Sequence, residues 1–165
     1  MKQKMIMCIA IMLWLVKANA QTFDAQFITT QPTQGDSLKK YMVGVWVEDE
    51  YGKFVCTLLV YTDIKKELVK WYAKSTGSTV NAINGATLST TKTHYIDWDC
   101  RKFNGAFVPL AKYKLCLESS NGKDPETYFE IPFSIFYKQY ELKPADKGNF
   151  SKIEISFTPK QGKAK

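Results

Sequence analysis

Apolar and polar side chains alternate with a period of two along most of this chain, the pattern of strands whose two faces differ in exposure. Residues 41–47 put Tyr41, Val43, Val45 and Val47 on one face and Met42 and Trp46 on the other, which predicts a strand covered on both sides. Glu50-Tyr51-Gly52-Lys53 reads as a hairpin turn, and residues 54–61 as its antiparallel partner with Phe54, Cys56, Leu58 and Val60 sharing a face. Further alternation follows at residues 93–98 (His94, Ile96, Trp98), 111–117 (Tyr113, Leu115, Leu117), 129–135 (Phe129, Ile131, Phe133, Ile135) and 150–157 (Ile153, Ile155, Phe157). Pro132, which has no N–H to give a ladder, argues for an edge or a bulge in the fourth of these. About seven short strands with turns at this spacing predict an all-β fold, an immunoglobulin-like antiparallel β-sandwich.

Two stretches depart from the alternation. Residues 63–74 carry Ile64, Leu68 and Trp71 at near-helical spacing with Asp63 as a cap, which reads either as one short helix or as a strand with Leu68 and Trp71 docked on the sheet. Residues 75–91, rich in Ser, Thr, Asn and Gly, read as a long surface connection, and loops of that length in compact domains are often functional.

Composition adds a compartment. Lys2 and Lys4 precede an apolar run over residues 5–16, and Ala18-Asn19-Ala20 has the small-x-small form of a cleavage site, so residues 1–20 read as a signal peptide with cleavage before Gln21. The run is short for a bilayer span and no later stretch approaches that length. Cys8 lies inside the run rather than directly after a small-residue box, which argues against a lipoprotein anchor. The expected product is a periplasmic or extracellular protein with a single sandwich domain over residues 21–158 and a Lys-rich tail over residues 159–165. The whole chain carries +7; of its 23 Lys and Arg, loss of Lys2, Lys4 and Lys17 leaves 20 against 16 acidic residues, a mild excess of +4. No basic face interleaved with aromatics accompanies it, so nucleic acid is not an expected partner.

Three cysteines remain after cleavage, Cys56, Cys100 and Cys116, which allow at most one intramolecular disulfide with three possible pairings. Cys56 falls among apolar neighbours and Cys116 on the polar side of its strand, so a bridge between these two is disfavoured. One histidine and scattered cysteines do not make a zinc site. Any Ser-His-Asp or Cys-His chemistry would have to pass through His94, yet alternation points His94 and Asp97 to opposite faces and no nucleophile elbow occurs, so His94 reads as a half-buried structural residue. Asp97, Asp99 and Glu48-Asp49-Glu50 match no calcium-loop spacing and read as solvated turns. Trp46, Trp71, Tyr72 and Trp98 read as core rather than as a sugar-stacking platform. No catalytic constellation of the chain's own is expected.

One segment stands out chemically. In Asn84-Gly85-Ala86-Thr87-Leu88-Ser89-Thr90, the Thr87 hydroxyl follows two nearly side-chain-free positions. Gly85 can take positive φ and Ala86 adds only a methyl, so a bulky partner can approach the backbone while Thr87 presents its oxygen. The same residues also compose an ordinary polar turn.

Over residues 41–133 the chain resembles domain-of-unknown-function family 2271, a family of predicted periplasmic bacterial proteins. The resemblance rests on short pieces in order: Val43-Gly44-Val45-Trp46-Val47-Glu48, Gly52-Lys53-Phe54-Val55-Cys56-Thr57-Leu58, Trp71 and Ala82-Ile83-Asn84-Gly85-Ala86-Thr87. His94-Tyr95-Ile96-Asp97-Trp98-Asp99, Asn104-Gly105, Val108-Pro109 and Tyr113-Lys114-Leu115-Cys116-Leu117-Glu118 complete it. The Trp98-Asp99, Gly105, Val108-Pro109 and Tyr113 spacing is also similar to the immunoglobulin-like module of flagellar hook-capping proteins. Gly85-Ala86-Thr87 resembles the acceptor at which a flavin transferase links FMN to Thr through a phosphoester. That resemblance implies Thr87 as the attachment oxygen, with Gly85 and Ala86 beside it, and a flavin transferase and membrane redox proteins as partners. The acceptor pattern carries Asp six residues before the Thr and Ser or Thr three before it, where this chain has Asn81 and Asn84. Two functions are therefore expected as alternatives: a covalent FMN carrier in extracytoplasmic electron transfer, or a non-catalytic binding or assembly module that meets another envelope protein through this loop.

Overall fold

Inward-facing apolar residues sort the strands into two sheets that share one core. The computed structural model describes residues 21–31, 33–34, 37–38, 40–80, 82–121 and 125–159; the expected signal peptide, Asn81 and the tail from residue 160 lie outside the described residues. In chain order the strands are β1 (Thr22–Thr29), β2 (Thr33–Gln34), β3 (Ser37–Leu38), β4 (Met42–Asp49), β5 (Phe54–Tyr61), β6 (Ile83–Gly85), β7 (Lys92–Trp98), β8 (Ala111–Ser120), β9 (Pro125–Ile135), β10 (Tyr140–Leu142) and β11 (Phe150–Thr158). A 3-10 turn (Lys65–Glu67) and helix α1 (Val69–Ser75) lie between β5 and β6. One sheet has the order β10-β11-β1-β7 and the other β6-β5-β4-β8-β9, while β2 and β3 form a small separate hairpin. This is the expected all-β sandwich, antiparallel throughout except where β6 runs parallel to β5.

β1 is absent from the sequence reading, yet it is an inner strand of its sheet, paired with β11 on one side and β7 on the other. Its alternation is regular: Phe23, Ala25, Phe27 and Thr29 point inward. Phe23 packs its ring 4.5 Å from that of Phe133, joining the two sheets. β7, β8, β9 and β11 keep the inward residues that alternation assigns them, and β9, which holds Pro132, is an edge strand as its proline requires.

β5 corrects the expectation. Two irregularities in its pairing with β4, at Val45/Trp46 and at Val47/Glu48, leave Leu58 and Val55 as the extra residues. Bulges of this kind change the side-chain period locally. Phe54 and Val60 therefore turn to the outer face while Cys56 and Leu58 join the inner core, and the single face expected for these four residues does not form.

The outer face of the five-stranded sheet is covered by α1, which explains why β4 is buried on both sides. Trp46, Trp71, Leu68, Met42, Val60 and Cys116 form this second core. Burying large side chains of this type stabilises by roughly 1.5–3 kcal/mol each. Gly44 sets the separation, because a Cβ there would come within 3.3 Å of Leu68 Cδ1 and 3.4 Å of Trp71 Cβ. The helix is shorter than the sequence suggests and Asp63 does not cap it; Ile64 is exposed while Leu68 and Trp71 are buried. Its first N–H groups are met from another strand. Glu118 on β8, fully buried, accepts from Lys70 N at 3.0 Å and Trp71 N at 2.8 Å. Trp71 Nε1 donates to Thr57 Oγ1 at 3.0 Å, and Thr57 in turn donates to the Ser78 carbonyl at 2.6 Å. Glu48, expected in a solvated turn, is buried at the end of β4, where it accepts from Trp46 Nε1 at 2.8 Å and pairs with Lys74 at 3.2 Å.

Candidate functional site

The loop that carries Thr87 is pinned along its length, so the expected long connection of residues 75–91 is in its second half a built structure. β6 pairs with the end of β5, and Thr62 N donates to the Gly85 carbonyl at 2.9 Å. Asp63 N donates to Thr87 Oγ1 at 3.1 Å. Leu88 and Tyr41 exchange two backbone hydrogen bonds of 2.8 Å, and the Tyr41 hydroxyl donates to the Thr90 carbonyl at 2.7 Å. Asp63, expected to cap the helix, thus holds the candidate hydroxyl instead. Thr87 remains half-buried, Ala86 is exposed, and Asn84 folds its amide back to the Ala82 carbonyl at 2.9 Å.

Gly85 is needed here for space and not for a left-handed backbone. Its φ is not positive, unlike those of Gly52, Gly77, Gly105 and Gly148. A Cβ at Gly85 would overlap the Tyr61 ring, which lies against the glycine backbone. The same ring meets a cation: Lys92 Nζ donates to the Tyr61 hydroxyl at 2.8 Å and lies over the ring, 4.0 Å from its centroid. Tyr61 and Lys92 therefore border the loop, brought together across the sandwich from strands of the two different sheets.

Beneath the loop runs a buried polar chain. His94 Nε2 and Thr29 Oγ1 lie 2.7 Å apart, and Thr29 Oγ1 and the Tyr41 hydroxyl 2.9 Å apart. Tyr41 has one proton and places it on Thr90 O, so the direction that satisfies every oxygen has His94 Nε2–H donating to Thr29 and Thr29 donating to Tyr41. His94 Nδ1 is then a buried lone pair with no partner among the described residues. The ring stacks on Phe27 at 4.9 Å between centroids and is 2 % exposed, so it is more deeply buried than the half-buried residue expected. Burial, reinforced by the Lys92 charge, pulls its pKa down to about 4 from 6.5. Burial likewise raises Tyr41, partly offset by the Thr29 hydrogen bond. A neutral imidazole facing away from Asp97 positions the loop from below and is held out of reach of solvent.

The remaining candidates fall apart spatially. Asp97 lies on the exposed face of β7, Asp99 pairs with Arg101 at 2.8 Å, and Asp49 accepts from Tyr51 N and Lys53 N within its turn. Trp98 belongs to the main core and Trp46 and Trp71 to the outer one, so they share no platform. Cys56, Cys100 and Cys116 are buried free thiols; the first two lie in the main core and Cys116 beneath the helix. Burial pushes the Cys100 and Cys116 thiols up to about 12 and raises Cys56 as well. Among the described residues no group of three His, Cys, Asp or Glu is placed to hold a metal ion, and no helix is long and apolar enough to cross a membrane.

The class defined by this geometry is a helix-backed β-sandwich that presents a Thr on a loop fixed at successive points by the core beneath it. The chain belongs to domain-of-unknown-function family 2271, described as a predicted periplasmic protein, whose model matches residues 23–150. No curated protein and no solved structure matches it.

Proposed function

We propose that the protein is an envelope electron carrier that holds FMN covalently on Thr87. The observation that carries this reading is the hold on Thr87: its oxygen accepts a backbone hydrogen bond from Asp63, and the loop around it is tied down at Gly85, Leu88 and Thr90. An ester oxygen keeps the lone pair that accepts that bond, so these residues fit a phosphoester at Thr87 without rearrangement. Lys92, over the Tyr61 ring and bonded to its hydroxyl, supplies a cation on the same border of the loop. Attachment requires an activated flavin nucleotide: a bond forms between Thr87 Oγ1 and the FMN phosphorus, the phosphoanhydride bond breaks, a nucleoside monophosphate leaves, and the hydroxyl proton passes to the transferase. Bound FMN supplies electron transfer. The chain supplies position, through Asp63, Gly85 and Tyr61, and a rigid floor, through His94, Thr29 and Tyr41.

A second reading, a non-catalytic binding or assembly module of the envelope, is favoured by one observation. Asn84 stands where the acceptor pattern has Ser or Thr, and its amide is committed to the Ala82 carbonyl. Intact mass decides between them. The chain is expressed for export with a flavin transferase from its own source, beside a Thr87→Ala variant. An adduct of FMN size in the parent and not in the variant is expected. An unmodified parent, with the transferase active on a control substrate, refutes the carrier and leaves the binding module.

A further inference from the structure

At the end of the sandwich opposite to Thr87, three loops bring apolar side chains to the surface. Tyr51 lies in the β4–β5 turn, Phe103, Phe107 and Leu110 in the β7–β8 connection, and Phe136 and Tyr137 directly after β9. These six are more than half of the eleven large apolar side chains that are exposed among the described residues, so the clustering is not the single scattering ordinary on a protein surface. Tyr51 and Tyr137 are 87 % and 81 % exposed, projecting almost free of the fold. The loops are contiguous: Phe103 N donates to the Val55 carbonyl, and Ala111, which follows Leu110, pairs with Ile135, which precedes Phe136. A groove of about 380 Å3 runs between the β4–β5 turn and the β7–β8 connection.

Basic residues outnumber acidic ones around these tips, Lys53, Arg101, Lys102, Lys112 and Lys138 against Asp49, Glu50 and Asp99. Among the described residues no ion pair engages Lys53, Lys102, Lys112 or Lys138. The acids nearby are otherwise occupied, Asp49 with backbone N–H groups and Asp99 with Arg101, leaving Glu50. Thr158, paired with Thr22, lies at this same end, and the sequence beyond it holds Lys160, Lys163 and Lys165. The side of the molecule is different. On the outer face of the four-stranded sheet Asp24 faces Asp97 in register, with Glu141 along the same face and Glu154 paired there to Lys143, which leaves an acidic excess. An anionic plane would therefore attract the loop end and repel the sheet face, which fixes an end-on approach.

We infer that this end of the molecule docks on an anionic phospholipid surface, the Tyr51, Phe103 and Tyr137 tips entering the headgroup region and the lysines meeting lipid phosphates. Amphipathic phenol rings suit that interface, and separate projecting tips suit a soft surface better than a rigid complementary one. The inference is independent of what Thr87 carries.

All described strands of both sheets lie between residues 22 and 158, so the chain without residues 1–20, the expected signal peptide, carries every one of them and is the form to test. It is sedimented with vesicles of phosphatidylglycerol and with vesicles of phosphatidylcholine, beside two variants: Tyr51→Ser/Phe103→Ser/Tyr137→Ser, and Lys160→Gln/Lys163→Gln/Lys165→Gln. Binding to phosphatidylglycerol alone is expected, weakened by salt, and reduced about tenfold or more in the tip variant with its circular dichroism and melting unchanged. No binding to phosphatidylglycerol at low salt overturns the proposal. Loss in the tail variant with none in the tip variant also overturns it, since the tail alone would then bind. If the parent self-associates in sedimentation velocity and the tip variant does not, with vesicles having no effect, the patch joins two copies and the lipid surface is refuted.

Discussion

His94 makes stability fall in mild acid, and because it is the chain's one histidine a single substitution removes the whole imidazole contribution. Its pKa is about 4 in the fold against 6.5 for an accessible imidazole, with burial the larger cause and the Lys92 charge the smaller. The folded state therefore binds fewer protons than the unfolded one between these values, so stability rises with pH across the window and is lost as pH falls through it. A difference of about 2.5 units corresponds to about 3 kcal/mol when the loss is complete, and to about 2 kcal/mol between pH 7 and pH 5.

Urea unfolding at the two pH values measures the total, to which carboxylates also contribute. The His94 share is isolated by subtraction. His94→Gln keeps a group able to bond Thr29 but does not titrate, so its stability at pH 7 is expected below the parent's, through lost packing on Phe27 and Tyr61, while its change between pH 7 and pH 5 is smaller by about 2 kcal/mol. Histidine NMR gives the direct value. An imidazole that titrates near 6.5, or a variant with the parent's pH dependence, would refute the reasoning.

Three further outcomes follow from the packing. Glu118→Ala leaves the Lys70 and Trp71 N–H groups without their acceptor and should cost about 2–4 kcal/mol in urea unfolding, with loss of helical signal. Burial raises the Glu118 pKa, so its own contribution falls as pH rises from the ordinary carboxylate range through the raised value, and Glu118→Gln should abolish that fall. Gly85→Ala forces a Cβ into the Tyr61 ring and should lower stability by about 1–3 kcal/mol, with part recovered when Tyr61→Ser is added; a neutral Gly85→Ala would show that the ring moves aside freely. Cys56, Cys100 and Cys116 should resist a thiol reagent in the native protein and all react after unfolding in the absence of reductant, whereas a count of one would reveal a disulfide.

Much of the sandwich was legible because residues such as Tyr113, Leu115 and Leu117, or Phe129, Ile131 and Phe133, report one buried face with nothing to disturb the period. β1 carries the same signal in Phe23, Ala25 and Phe27, but it begins directly after the expected cleavage site, where an apolar residue is no signal of a core strand by itself. The failure in β5 was of another kind: two bulges shift the facing of Phe54 and Val60, and a bulge is set by pairing with β4, which composition does not encode. Of the candidate site, Gly85, Ala86 and Thr87 were named from their sequence, but the reason for glycine was not readable, since the obstacle is a ring from β5. Asp63 was legible as a residue and misread in role. Thr29, Lys92 and His94 meet only through register between β1 and β7, and Tyr61 reaches them only through the packing of one sheet on the other.

The two ends of the sandwich have opposite construction. At the Thr87 end, Gly85, Thr87, Leu88 and Thr90 are each tied to Thr62, Asp63 or Tyr41, and the tie to Tyr41 continues inward to Thr29 and His94. At the far end, Tyr51 and Tyr137 project with little support. The eight residues of β4 separate them by roughly 25 Å, at about 3.3 Å per residue. If the loop tips rest on lipid and Thr87 carries FMN, the flavin stands away from the bilayer, facing the aqueous compartment. Its electrons would then come from a partner domain that rises above the membrane, and binding to vesicles should leave the rate of flavin reduction by a soluble reductant unchanged. A strong fall in that rate on phosphatidylglycerol vesicles would mean that the Thr87 end faces the lipid, and the end-on orientation argued from the lysines would be wrong.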